Sequence, residues 1–158
     1  MFAELGLRLA GKRILLLGVG NRLRGDDAVG SLLVERLQGK MDIFMIDAGD
    51  VPENYLGPIE ESGAEVVLVV DAADFGGKVG DVAIFDIEQV QGMSVSTHTA
   101  NLGLLFKIIS PEKRPQVIML GIQPGNLELG QGLSEPVRVT MENLADIFIT
   151  SINWGTPV

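Results

Sequence analysis

Residues 15–30 read LLLGVGNRLRGDDAVG, an apolar run that leads into a glycine loop and then into two adjacent acids, Asp26 and Asp27. The apolar run, which begins at residue 14, is typical of a strand covered on both faces of its sheet. Apolar residues recur at helical spacing over 29–37, which predicts a helix that begins directly after the acids. Because ligands of open α/β sheets bind where such a loop leaves the carboxyl end of a strand, this loop is the candidate site.

The rest of the chain alternates between patterns typical of strands and patterns typical of helices. Further strands are predicted over 43–47, 65–71, 82–85 at a sheet edge, and 115–122, and helices over 51–61, 99–109 and, after a cap at Ser134, 137–152. Alternating elements build a mainly parallel sheet. We therefore predict an α/β fold, a mainly parallel twisted sheet of about five strands flanked by helices on both faces.

Length and composition narrow the function classes. A chain of 158 residues is expected to form a single domain over residues 1–158. Twelve basic against 21 acidic side chains give a net charge of -9, which disfavours nucleic acid and anionic membranes as partners. The absence of cysteine excludes disulfides, thiolate metal sites and a cysteine nucleophile. No apolar run approaches the ~20 residues of a membrane span and no signal peptide is recognisable, so we expect a soluble cytoplasmic protein without membrane insertion. A core of this size needs no second subunit, so we expect a monomer.

The predicted topology brings two distant acids together. Asp27 follows the first strand and Asp71 ends the third, and parallel strands deliver their carboxyl ends to one edge of the sheet. The single histidine, His98, lies among small polar residues at the start of a predicted helix. Two carboxylates and one imidazole suit a divalent metal such as nickel, iron, manganese or zinc, with coordination positions left open for a substrate.

Two other interpretations of the loop stay open. Gly18 and Gly20 fit the first two glycines of the dinucleotide-binding pattern G-x-G-x-x-G, but Leu23 stands at the third. The acids at 26 and 27 would repel a pyrophosphate at the helix N-terminus, so we expect no bound nucleotide, and a non-enzymatic nucleotide-binding module is kept as an alternative. Alternatively, the acids are structural: Asp26 caps the helix, Asp71 makes a turn at the end of its strand, and Asp47 caps the segment that follows it. A nucleophilic triad of Ser96, His98 and an Asp is disfavoured because the chain has no G-x-S-x-G elbow.

Six short segments resemble one known family in their order and spacing. They are GVGN at 18–21, GDDAVG at 25–30, DAG at 47–49 with PEN at 52–54, VDA at 70–72, STHT at 96–99 and GIQP at 121–124. Together, over roughly residues 13–150, they resemble the hydrogenase maturation endopeptidases. The PEN and GIQP segments are most similar to the subfamily that processes the large subunit of formate-hydrogenlyase-type nickel–iron hydrogenases.

The resemblance implies an endopeptidase that removes a C-terminal peptide from the precursor of the hydrogenase large subunit after nickel insertion. In that family two acids and a histidine contact the precursor's nickel, and these positions match Asp27, Asp71 and His98 of this sequence. The partner is then the nickel-loaded precursor, which supplies the nickel itself. The alternative within this resemblance is a nickel-dependent assembly factor without activity.

The roles of individual residues follow from the same resemblance. Asp27 and Asp71 are the candidate catalytic residues, and Gly25, Asp26 and Asp47 are assigned to substrate binding. Nickel would act as a recognition handle that positions the scissile bond. The attacking water would be activated either by a carboxylate or by the metal as a Lewis acid.

Two departures from the family pattern are visible. Ala28 follows the acid pair where the family often has glycine, and this small change leaves the carboxylate in place. After the histidine, many members have Asn or Asp and then a Leu-Pro or Met-Pro pair, whereas this chain has TANL at 99–102. The second departure affects the substrate wall near the histidine.

Overall fold

A computed structural model gives the backbone of residues 1–90, 94–95 and 97–155, and the side chains of residues 1–90, 99 and 101–155. The strands are β1 Ile14–Gly18, β2 Phe44–Asp47, β3 Val66–Asp74, β4 Val82–Asp86, β5 Ser94–Val95 and β6 Gln116–Ile122. The α-helices are α1 Phe2–Leu9, α2 Val29–Leu37, α3 Leu56–Ser62, α4 Thr97–Phe106 and α5 Glu135–Thr150. Short 3-10 helices cover Gly25–Ala28, Pro52–Tyr55 and Ile87–Val90.

The strands form one sheet in the order β2-β1-β3-β6-β4, with β5 paired to the end of β3. The pairs β1–β2, β1–β3 and β3–β6 are parallel, and β4 runs antiparallel to β6 at the edge. This arrangement confirms the predicted α/β fold with its mainly parallel sheet. The described helices include none long and apolar enough to cross a membrane.

Alternate side chains of the central strands point into two separate apolar layers. One layer packs against α1, α2 and α5 and the other against α3 and α4, so both faces of the sheet are covered. The strand residues of the first layer include Ile14, Leu16, Val66, Leu68 and Val70, and those of the second include Leu15, Leu17, Val67 and Val69. Burial on both faces explains why β1 and β3 are continuous apolar runs instead of alternating ones.

The structure differs from the sequence prediction most clearly in four elements. Helix α1 was not predicted, although its buried residues Leu5 and Leu9 are one turn apart. Strand β3 continues past Asp71 to Asp74, because its last residues pair with β6 and β5. The two-residue strand β5 was not predicted, and α4 begins at Thr97, two residues before the predicted start.

Two glycines allow helix α2 to lie directly on the sheet. A Cβ built at Gly30 would overlap the carbonyl oxygens of Val70 and Val19, and one built at Gly18 would overlap the Gly30 carbonyl. A side chain at either position would therefore push the start of α2 away from β1 and β3. The contact places Asp27, three residues before Gly30, close to the strand that carries Asp71.

We predict that Gly30→Ala lowers the free energy of unfolding by about 3 kcal/mol, because the new methyl group meets rigid backbone atoms. Urea denaturation measures this change. The matched control is Gly57→Ala in helix α3, where a new Cβ has no atom within 4 Å and a helical glycine is replaced by a better helix former. Equal stability of the two variants would contradict the close contact between α2 and the sheet.

Candidate active site

Asp27 lies in the 3-10 helix Gly25–Ala28, which connects the glycine loop to α2. This helix begins at Gly25, whose φ of +53 is a left-handed backbone conformation that favours glycine. A Cβ atom at residue 25 would also overlap the carbonyl oxygen of Asn126, so the position has no space for a side chain. The Asn21 N–H is shared between the Asp27 main-chain oxygen at 3.1 Å and its Oδ2 atom at 3.3 Å. The Asp27 side chain is only partly buried, and the short helix packs against β3.

Asp26 has a different environment from its neighbour. Its carboxylate is fully buried and accepts hydrogen bonds from the N–H groups of Gly125 (2.8 Å), Asn126 (3.0 Å) and Ser134 (2.7 Å), and from the Ser134 hydroxyl (2.8 Å). Burial raises the pKa of Asp26, but these four hydrogen bonds outweigh it and hold the pKa below its usual value. Asp26 thus ties the glycine loop to the loop after β6 and to the start of α5. These contacts give it a structural role, and substrate binding by Asp26 stays a prediction.

Asp71 lies at the carboxyl edge of the sheet. It pairs with Gly121 of β6, one residue beyond the last β1–β3 pair, Gly18 with Val70. Its side chain is fully buried, and its Oδ2 atom accepts a hydrogen bond from the hydroxyl of Thr99 in α4. Since Asp27 is held on a helix packed against this strand, the structure brings the elements that carry the two predicted catalytic acids together.

His98, the third predicted nickel ligand, lies in the first turn of α4. Its side chain is outside the described part of the structure, so its distance from the two acids stays open. Within the described side chains no group of three potential metal ligands is close enough to hold an ion. The ligand set Asp27, Asp71 and His98 therefore remains a prediction.

Asp47 is paired with Gly18 across β1 and β2, at the same edge of the sheet. Its carboxylate accepts hydrogen bonds from Arg22 at 2.6 Å and from the Gly49 N–H at 3.1 Å. Burial raises the pKa of Asp47, but the hydrogen bonds from Arg22, Ser31 and Gly49, with the Arg22 charge, hold it below its usual value. Arg22 also bonds Glu35 at 2.9 Å, so this arginine ties the glycine loop to both β2 and α2.

Gln123, the residue directly after β6, makes several side-chain hydrogen bonds to the end of β3 and the loop that follows it. It is nearly fully buried, its Oε1 atom accepts from the N–H groups of Phe75 and Gly77, and its Nε2 atom donates to Asp74. These bonds fix the loop after β3 beside the loop after β6. Gln123 belongs to the segment GIQP, but the sequence alone indicates no role for it, and it gives no local signal for the bonds made by Arg22 and Thr99.

The carboxyl edge of the sheet presents carboxylate groups, which can bind a cation through oxygen or accept and donate protons. A partly exposed carboxylate, Asp27, lies beside a strand that presents a buried one, Asp71. The loop N–H groups of Gly125 and Asn126 are occupied by the carboxylate of Asp26. Such an edge can hold a cation or move a proton, whereas a phosphate would meet two carboxylates.

The chain matches a known protein family over most of its length. A family model described as HycI, hydrogenase maturation protease, matches residues 28–151. The chain belongs to the hydrogenase maturation protease family. It is 34% identical over 133 residues to the hydrogenase 3 maturation protease of Escherichia coli K12, which covers 82% of this chain and 85% of that relative.

Solved structures of the hydrogenase maturation protease family have the same fold. The crystal structure of the [NiFe] hydrogenase maturation protease HycI from Thermococcus kodakarensis matches with a TM-score of 0.82 and 35% identity, over 92% of this chain and 96% of that one. The solution structure of the endopeptidase HycI from Escherichia coli matches with a TM-score of 0.75 and 31% identity, over 86% and 88% of the two chains. This family member is therefore a peptidase.

We predict that Asp26→Asn lowers the free energy of unfolding by about 3 kcal/mol at pH 7, because an amide cannot accept all the hydrogen bonds that reach the carboxylate. The pKa of Asp26 is lowered by folding, so its contribution is complete above its unfolded pKa of about 4 and is lost as the pH falls through the folded pKa. The stability difference between wild type and variant should therefore shrink toward pH 2. Urea denaturation across this pH range measures it.

The control is Asp42→Asn, which changes an exposed aspartate in the connection before β2. This variant should unfold like the wild type at every pH. An Asp26→Asn variant as stable as the wild type at pH 7 would contradict the structural role of the buried carboxylate.

Proposed function

We propose that this hydrogenase maturation protease removes a C-terminal peptide from the precursor of a nickel–iron hydrogenase large subunit after nickel has been inserted. The observation that carries the proposal is the placement of the Asp27 helix against β3, beside the buried Asp71. The names of the relatives identify hydrogenase maturation as their role. The GIQP and PEN segments support a precursor of the formate-hydrogenlyase type.

Nickel enters this proposal as part of the substrate. Asp27, Asp71 and His98 would complete the coordination of a nickel ion already held by the precursor, so that only a loaded precursor seats its scissile bond at the site. Carboxylate and imidazole are donors that a divalent nickel ion accepts. The specificity of cleavage for loaded precursor would then come from binding geometry.

The two carboxylates differ in their access to water. Asp71 is fully buried, whereas Asp27 is partly exposed, which favours Asp27 as the general base. In this step the water oxygen attacks the scissile carbonyl carbon and one water proton moves to the Asp27 carboxylate. When the C–N bond breaks, the proton passes to the leaving nitrogen. A metal acting as a Lewis acid on the same carbonyl is compatible with these transfers.

An exposed apolar rim beside the site supports a protein substrate. Leu23 is 69% exposed and Leu129 is 71% exposed, and they lie on neighbouring loops, since the Gly130 N–H donates to the Leu23 carbonyl at 2.9 Å. Arg24 joins the same loops through a hydrogen bond to the Leu127 carbonyl. Leucines held in this way next to a carboxylate edge suit an apolar surface of a folded partner.

We propose that the enzyme meets this precursor as a monomer in the cytoplasm.

The test is cleavage of a nickel-loaded large-subunit precursor, followed by mass spectrometry. We expect loss of a C-terminal peptide with the wild type, and a rate at least about 100-fold lower with Asp27→Asn or Asp71→Asn, because each variant removes a carboxylate from the site. Asp42→Asn should cleave at the wild-type rate. A nickel-free precursor should stay intact.

Two results would contradict this proposal in different ways. Full activity of both site variants would remove Asp27 and Asp71 from the mechanism. Equal cleavage of loaded and nickel-free precursor would remove nickel recognition while leaving the peptidase.

A second prediction concerns the apolar rim. Leu23→Ser and Leu129→Ser should each raise KM for the precursor by about 10-fold with little change in kcat, because they remove apolar contact area that is made on binding. The matched control is Leu7→Ser, which changes a leucine of α1 that is 80% exposed. An unchanged KM in both rim variants would place the docking surface elsewhere.

A further inference from the structure

Thr99 connects two elements that carry predicted site residues. It is fully buried, and its hydroxyl donates a hydrogen bond to the Oδ2 atom of Asp71. The two residues are 28 positions apart in the chain, one on α4 and the other on β3. A buried hydroxyl directed at a buried carboxylate makes a charge-assisted bond, which is stronger and more directional than a bond between neutral groups.

The position of this bond within α4 adds to its effect. Thr99 is the third residue of the ten-residue helix, so the carboxylate of Asp71 lies at the first turn. Main-chain N–H groups in the first turn of a helix lack partners within the helix, and the helix dipole favours negative charge there. The hydroxyl and the helix end together favour a carboxylate in one fixed orientation.

The same bond fixes α4 relative to the sheet. His98 precedes Thr99 in the first turn, so the docking of Thr99 on Asp71 also sets where the backbone of His98 lies. We infer that Thr99 is a positioning residue of this peptidase, which orients the Asp71 carboxylate and sets the relative placement of two of the three predicted nickel contacts. The expected effect of Thr99 on cleavage rests on the proposed function. Its expected effect on the orientation of the Asp71 side chain rests on the hydrogen bond alone.

Two substitutions of Thr99 separate the effect of its hydroxyl group from the effect of its packing. Thr99→Val keeps the size and branching of the side chain but lacks the hydroxyl, and Thr99→Ser keeps the hydroxyl. The control for losing a threonine hydrogen bond is Thr140→Val, since the Thr140 hydroxyl donates to the Gly80 carbonyl at 2.6 Å instead of to a carboxylate. Thermal unfolding of each variant shows that the assays compare folded proteins.

We expect Thr99→Val to lower kcat/KM for the nickel-loaded precursor by about 10- to 100-fold, the range seen when a partner of a metal-contacting group is removed. Thr99→Ser should restore most of this loss, and Thr140→Val should stay within about 3-fold of the wild type, because its lost bond is to a main-chain carbonyl. Wild-type activity of folded Thr99→Val would overturn the inference. Equal losses in Thr99→Ser and Thr99→Val would also overturn it, because packing and not the hydroxyl would then be responsible.

A second measurement does not depend on cleavage. The carbon NMR resonance of the Asp71 carboxyl group reports its hydrogen bonding, so it should move in Thr99→Val and stay close to the wild-type position in Thr99→Ser. An unmoved resonance in Thr99→Val would overturn the inference. If the wild type cleaves no precursor but the resonance moves as expected, the proposed substrate is wrong and the positioning of Asp71 by Thr99 stands.

Discussion

The close approach of helix α2 to the sheet is the constraint on which the candidate site depends. Gly30 lies against the carbonyl of Val70, and Gly18 lies under Gly30, so neither position has space for a side chain. Asp27 comes three residues before Gly30, and Asp71 comes one residue after Val70. The two acids are therefore brought to one edge by backbone packing and not by attraction between them, which like charges could not provide.

The adjacent acids Asp26 and Asp27 lie in different environments. The buried carboxylate of Asp26 accepts hydrogen bonds from donors near both ends of the β6–α5 connection, which ties the glycine loop to that connection. Asp27 is left on the exposed side of this anchored loop. Anchoring of this kind meets a general need of catalytic sites, because a reactive group must be held in one geometry by its surroundings. Asp71 likewise accepts a hydrogen bond from a residue distant in sequence, Thr99 of α4.

Much of the fold could be predicted because its signals are local and strong. The β-branched run of β3 and the apolar run of β1 indicated buried parallel strands, and the parallel topology predicted that Asp27 and Asp71 share an edge. Helix α1 has only two buried leucines to mark it, and β5 has only two residues. Helix α1 does carry apolar residues at helical spacing, but over only eight residues, and β5 is too short to show any period, so neither element was predicted from the sequence.

The contacts around the site could not be predicted for a different reason. Asp26 bonds Ser134 across 108 residues, and Asp71 bonds Thr99 across 28. Nothing in the local sequence specifies such partners, because they meet only when α4 and α5 have docked on the sheet. The segment containing Gln123 was recognised as a motif, but its role in holding the loop after β3 depends on where β6 lies. A polar residue directly after the apolar run of β6 was the available signal.

The proposed function requires that Asp27, Asp71 and His98 contact the nickel of the substrate. The most direct measurement is a crystal structure of the Asp27→Asn variant in complex with the nickel-loaded precursor, with the nickel located by its anomalous scattering. The account predicts nickel within bonding distance of the Asp71 carboxylate and the His98 imidazole. A complex in which the nickel lies away from this edge would contradict it.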